Sequence, residues 1–179
     1  VRTTSGIDVA GGTAFAAIPE PFDTLMVVGG RGTRTLIDDQ HFLGEVRDLA
    51  GRAERITSVC SGSFLLAAAG LLDGYQATTH WGSCDRLAKN WPEVEVLPDQ
   101  IYVHDRNRWT SAGITAGIDL ALALVEADHG TELAHEVAAW LVVFARRPGG
   151  QAQFSAQLRA QAARTPGIAR VQRWLPDHL

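Results

Sequence analysis

Cys60 stands where an apolar run gives way to small residues, in the order Val59-Cys60-Ser61-Gly62-Ser63. A strand–Cys–helix junction is the geometry of a nucleophile elbow, in which a strained turn lifts the side chain out of the sheet. Gly62 lets neighbouring backbone pass close by. A thiol there lies at a helix N-terminus, where unpaired N–H groups and the helix dipole favour thiolate over thiol. The same N–H groups, with those near Gly30, are placed to hold a developing oxyanion. The alternative is a small thiol packed between sheet and helix. His80 ends the next strand in sequence and is expected at the same sheet edge as Cys60. There an imidazole takes a proton from the thiol or orients it. A strand-end histidine that only caps a carbonyl is the alternative. Cys84, at a helix start, reads as structural.

Other chemistries find less support. A cysteine amidase needs a third group, usually a carboxylate, and no obvious loop supplies one. Asp23 precedes its strand at the wrong end, and Asp119 falls inside a helix. Gly29-Gly30-Arg31-Gly32 lacks both the Walker lysine and the dinucleotide spacing. His129 and His135 are six apart and do not share a helical face, so no metal site and no cofactor are expected. Two cysteines are too few for a disulfide framework.

The elements that must position Cys60 and His80 follow from hydrophobic patterning. Strands are expected at 24–28, 55–59, 76–80, 93–97, 101–104 and 108–111, with Asp105-Arg106-Asn107 as a hairpin turn. Helices are expected at 38–50, 63–72, 83–91 and 115–127, the last buried on two sides. Thr131 is a plausible N-cap for one more helix. The stripe Leu133, Val137, Trp140, Leu141 and Phe144 on that helix reads as core or subunit contact. Strands alternating with helices predict a parallel sheet covered on both faces, with ligands at the carboxyl ends of the strands. The loops at Gly29-Gly30, Cys60-Ser61-Gly62 and His80-Trp81 qualify.

The 179 residues (19.3 kDa) fit one domain, or one domain with a stub of a second. Hydrophobic residues at 46% and charged residues at 20% indicate a globular chain rather than a disordered one. No run approaches the roughly 20 apolar residues that cross a bilayer, and nothing marks a secretory signal, so a cytoplasmic protein is expected. The net charge of −4 leaves no electrostatic footprint for nucleic acid. The charge is uneven, however. Residues 1–147 hold 12 basic and 19 acidic residues, a balance of −7, whereas 148–179 hold four arginines and one aspartate, a balance of +3. The shift falls at Arg147-Pro148-Gly149-Gly150, a helix stop followed by a flexible pair, and a domain boundary is placed there.

Together these residues resemble the ThiJ/PfpI superfamily, relatives of class I glutamine amidotransferase domains. Val27-Val28-Gly29-Gly30 is similar to its oxyanion loop, and Ser58 to Leu66 to its elbow. Ala77-Thr78-Thr79-His80-Trp81 and Trp109 to Asp119 also match. Arg146-Arg147-Pro148-Gly149-Gly150-Gln151 followed by Gln153-Phe154-Ser155 resembles the linker of GlxA-type regulators, which join such a domain to an AraC-type helix-turn-helix domain. Residues 168–179 resemble the first helix of that DNA-binding domain. The resemblance implies a flavodoxin-like α/β three-layer sandwich that lacks its first strand–helix–strand unit, on the order of 40 residues. It divides the chain into a ThiJ/PfpI-like domain at 1–147 and, at 148–179, a linker with the start of a helix-turn-helix domain truncated here. It implies a ligand-sensing, homodimerising domain of a transcriptional regulator, which binds a small polar metabolite at Gly29, Gly30, Cys60, Ser61 and His80. Operator DNA would be reached only through the rest of the helix-turn-helix domain. The competing reading is a cysteine-dependent hydrolase or hydratase, with Cys60 as nucleophile and His80 as its partner.

Overall fold

A computed structural model of the chain describes residues 6–18, 22–144 and 146–153, together with residues 170, 171 and 174. The expected DNA-binding helix at 168–179 and the stretch Phe154-Ser155 fall almost wholly outside these.

The apolar runs form strands where expected. β1 (Phe22–Val28) and β2 (Ala53–Val59) pair in parallel, Leu25 opposite Ile56 and Val28 opposite Val59. β6 (Arg108–Ser111) joins β2 in parallel, and β5 (Tyr102–Asp105) adds antiparallel to β6, giving the order β1-β2-β6-β5. The hairpin turn passes through Arg106, which takes a left-handed conformation at φ 55°. A separate two-stranded parallel sheet pairs β3 (Gln76–Ala77) with β4 (Glu95–Val96).

Period-2 alternation sends successive strand side chains to opposite faces. Leu25, Val27 and Ile56 meet α2 (Gln40–Ala50) and α3 (Gly62–Ala68), where Leu43, Val46, Phe64 and Leu66 are buried. Val59 and Trp109 meet α5 (Ala116–His129) on the other face, through Leu120, Ala123 and Leu124. The result is the expected α/β sandwich of helices around a mainly parallel sheet. Among the described residues β1 has a single strand partner, and Met26 and Val28 on its second face are exposed. No described helix is long and apolar enough to cross a membrane.

Several expectations are corrected. The strand expected at 76–80 ends at Ala77, because the Thr78 amide donates to Thr110 Oγ1 at 2.8 Å instead of to a ladder carbonyl. His80 therefore caps a 3₁₀ turn at Trp81–Ser83 that leads into α4 (Cys84–Asn90), and it does not end a strand of the main sheet. Thr131 is the first residue of α6 (Thr131–Trp140), not its cap. Gly130 fills that position at φ 87°, and the Thr131 hydroxyl donates to Glu126. Of the two readings of the apolar stripe, the core one falls, since Leu133 and Trp140 on α6 and Leu141 and Phe144 beyond it are all exposed. Ile118 on α5 is exposed as well, so one side of α5 is open. Ahead of α2, α1 (Thr33–Leu36) is a single turn that follows the Gly29–Gly30 loop.

The two sheets are tied by Asp105, whose carboxylate accepts from the Gln76 amide at 2.9 Å and from Arg106 Nε at 3.1 Å. Arg106, with the Gln76 amide, holds this carboxyl below the usual carboxylate range. A depressed folded-state pKa contributes stability that is present above the unfolded value, roughly 3.9, and is lost as pH falls through the folded one. Asp105→Asn should therefore flatten the decline of stability below about pH 4. Urea titrations of both proteins across that range check this, and parallel declines would refute it.

Candidate functional site

The elbow forms as its residues dictate. Cys60 has φ 57°, a left-handed conformation that costs a non-glycine residue roughly 1–2 kcal/mol. Surrounding bonds hold it there. The Cys60 amide donates to the Ser111 carbonyl at 3.0 Å, and its own carbonyl accepts from Thr79 Oγ1 at 2.8 Å and Ser63 Oγ at 3.1 Å. Thr79 and Ser63 are both fully buried. The turn also requires Gly62, because a Cβ there would lie 2.0 Å from the Val27 carbonyl oxygen. Cys60 itself is half-buried.

The Gly29–Gly30 loop lies against Ser61. A Cβ on Gly29 would sit 2.6 Å from the Ser61 amide nitrogen and 3.0 Å from Cys60 Cβ. The Gly30 amide donates to Ser61 Oγ at 3.0 Å, and Thr33 Oγ1 donates to the Gly30 carbonyl at 2.8 Å. The Gly30 N–H, expected among the oxyanion donors, is thus engaged by the Ser61 hydroxyl.

His80 approaches on its own loop, outside the strands of the main sheet. A Cβ on Gly113 would lie 2.6 Å from His80 Cδ2 and 3.1 Å from Cys60 Sγ, so ring and sulfur are neighbours that meet across this glycine. The Gly82 amide donates to His80 Nδ1 at 3.2 Å. In the neutral ring that bond leaves the proton on Nε2. Gly29, Gly30, Cys60, Ser61 and His80 therefore converge on one end of the sheet.

A cavity of about 310 Å³ opens beside this group, bordered by His80, Trp81, Gly113, Thr115, Arg147 and Gln153 among others. Cys60 adjoins it through Gly113. Among the described residues no aspartate or glutamate lines it. A larger cavity, about 460 Å³, runs under β1 toward α2, and among the described residues no titratable side chain lines it. Its surface offers packing and no acid–base chemistry. Among the described residues no cluster of histidine, cysteine and carboxylate side chains could hold a metal.

Sequence reasoning missed four contributors: Thr79, Gly113, Arg147 and Gln153. Arg147 donates to the buried carboxylate of Asp119 from its amide at 2.9 Å, from Nε at 3.0 Å and from Nη2 at 2.6 Å. The Ile101 amide donates to the Gly149 carbonyl at 2.8 Å. Residues 147–153 thus fold back on the domain as a strap, and the boundary placed at residue 147 falls within it. The one available signal was Asp119, a carboxylate inside the otherwise apolar run from Ile118 to Val125 of α5, which calls for a cationic partner.

Cys84 contrasts with Cys60. Its sulfur is buried, within 3.6–3.7 Å of the Thr79, His80 and Pro98 carbonyls, and burial pushes its thiol up. Iodoacetamide should modify Cys60 in the native protein and reach Cys84 only after unfolding. Peptide mass mapping checks this, and equal labelling of both in the native state would contradict it.

The DJ-1/PfpI family matches over residues 1–127. Isonitrile hydratase from Pseudomonas putida is 40% identical over 139 residues, 76% of this chain and 58% of that protein. The HTH-type transcriptional regulator GbdR from Pseudomonas aeruginosa is 37% identical over 111 residues, 62% of this chain and 30% of the regulator. The chain thus spans little more than half of the first relative and under a third of the second. The crystal structure of a ThiJ/PfpI family protein from Pseudomonas syringae superposes with a TM-score of 0.76 at 34% identity, covering 97% of this chain and 70% of that one.

Proposed function

The chain belongs to the DJ-1/PfpI family, and from that premise we propose that it is the ligand-sensing domain of a DNA-binding transcriptional regulator. A small polar metabolite binds in the cavity beside Cys60 and His80, with Gly29, Gly30 and Ser61 shaping the adjoining loops. One observation carries the reading. The cavity is walled by Arg147 and Gln153, which lie beyond the family-matched stretch of 1–127, on the tract leading toward the C-terminus. A guest there contacts both the family site and the segment that would lead to a DNA-binding module, so it has a physical route to bias that module. Similarity to GbdR supports the same reading, as does the positive balance of 148–179.

In this reading the protein is cytoplasmic and works as a homodimer without a cofactor. The exposed apolar residues of α5 and α6, among them Ile118, Leu133, Trp140 and Leu141, are the surface that supports self-association. Residues 1–147 form the sensing domain, and 148–179 form the linker and the start of an AraC-type helix-turn-helix domain that alone reaches operator DNA.

A second reading is favoured by the strained Cys60 backbone and by the adjoining His80 ring. Here the protein is a cysteine-dependent hydratase or hydrolase, in which the sulfur adds to an electrophilic carbon and His80 passes the proton. Similarity to isonitrile hydratase supports it, and among the described residues no carboxylate lines the cavity to act as a third group. Incubation with a model isonitrile and a model amide separates the two. Sensing predicts unchanged compound, and turnover abolished in Cys60→Ala would establish the enzyme instead.

A further inference from the structure

Nothing in the ladder of the main sheet fixes His80, since the strand that leads to it ends at Ala77. Its carbonyl accepts locally from the Ser83 amide at 2.7 Å, and the peptides on both sides of it are held from outside. Gln153 Oε1 accepts from the Trp81 amide at 2.7 Å, one residue after His80. Gln153 Nε2 donates to the Thr79 carbonyl at 2.9 Å, one residue before it. The same nitrogen lies 3.1 Å from the Pro98 carbonyl and 3.2 Å from Thr78 Oγ1. The donor at Trp81 and the acceptors at Thr79 and Pro98 fix which end of the amide is which.

We infer that Gln153 is a positioning residue for His80, clamping the loop on both sides of the ring that borders the Cys60 cavity. The His80 ring is fixed in turn by the Gly82 amide at Nδ1, a bond to which Gln153 contributes no atom. The clamp holds the loop that makes this bond possible. Asp119 and Arg147 anchor the strap that delivers Gln153. The inference deepens the sensing reading and rests on it only for its purpose. By reciprocity, a shift of the strap biases His80, and a guest against His80 biases the strap.

The test is amide exchange by NMR on the full chain and on Gln153→Ala. The Trp81 amide loses its acceptor directly and must exchange faster. The Gly82 amide donates to His80 Nδ1 and not to Gln153, so it speeds up only if His80 moves. We expect roughly tenfold faster exchange at Gly82, with the Cys60 amide, bonded to Ser111, unchanged. Gln153→Glu keeps the size and the Trp81 bond but sets oxygen against the Thr79 and Pro98 carbonyls, and it should shift Gly82 in the same direction. In His80→Ala the Gly82 amide has already lost its acceptor, so adding Gln153→Ala should produce no further change. Wild-type protection at Gly82 in Gln153→Ala overturns the inference. So does an equal speeding of the Cys60 amide, or additive effects in the double variant. No ligand or operator enters this experiment, so its failure and that of the sensing reading are told apart.

Discussion

Gly62→Ala is expected to destabilise the folded protein severely. The added Cβ would lie 2.0 Å from the Val27 carbonyl oxygen, 2.8 Å from the Val27 carbonyl carbon and 3.1 Å from that of Val28. All three are backbone atoms of β1, held in register with β2 from Phe22 to Val28. No side-chain rotation relieves the clash, so either α3 or β1 must shift. Both lie in the core built around Ile56, Phe64 and Leu66, where overpacking typically costs 1–3 kcal/mol and more when backbone must move. Here about 3 kcal/mol or more is expected, a large share of a typical domain's stability. Thermal unfolding monitored by circular dichroism checks this. A cooperative transition within a few degrees of wild type would show that the elbow is looser than its geometry.

Gly113→Ala should separate the site from the fold. Its Cβ would meet His80 Cδ2 at 2.6 Å and Cys60 Sγ at 3.1 Å. These are side-chain atoms, and His80 can swing away. The fold should therefore lose only about 1 kcal/mol, a few degrees in Tm for a domain of this size. The site loses more, because the ring leaves the Gly82 amide and enters or vacates the cavity. Affinity for the cavity's guest should fall at least tenfold, about 1.4 kcal/mol. Calorimetric titration beside a thermal melt reads both quantities. Unchanged affinity would place the binding site elsewhere.

Much of the frame was legible in the sequence because local forces set it. β1, β2 and the β5–β6 hairpin follow their apolar runs, and Asp39 caps α2 by accepting from the His41 and Phe42 amides. The elbow was legible too, since Val59-Cys60-Ser61-Gly62 carries both the strand end and the glycine the turn requires. What escaped is whatever depends on a distant partner. The 76–80 strand was cut short by a hydroxyl on Thr110, 32 residues away. The apolar stripe on α6 has helical periodicity whether or not anything covers it, so periodicity alone left core and subunit contact undivided. Gln153 reaches Trp81 across 72 residues, and no local pattern announces such a bond. The convergence of Cys60 with His80 was anticipated for a partly mistaken reason. His80 arrives by a turn pinned by Thr78, Thr79 and Gln153, not on the end of a main-sheet strand.

The most direct test of the account is an NMR titration of the native chain with a panel of small polar metabolites, with each compound assayed for chemical change in the same tube. The account predicts that at least one binds saturably, shifts the resonances of His80, Gly113, Arg147 and Gln153 together, and is recovered unaltered. Consumption of a compound that requires the Cys60 thiol would contradict it, as would saturable binding that leaves those four residues undisturbed.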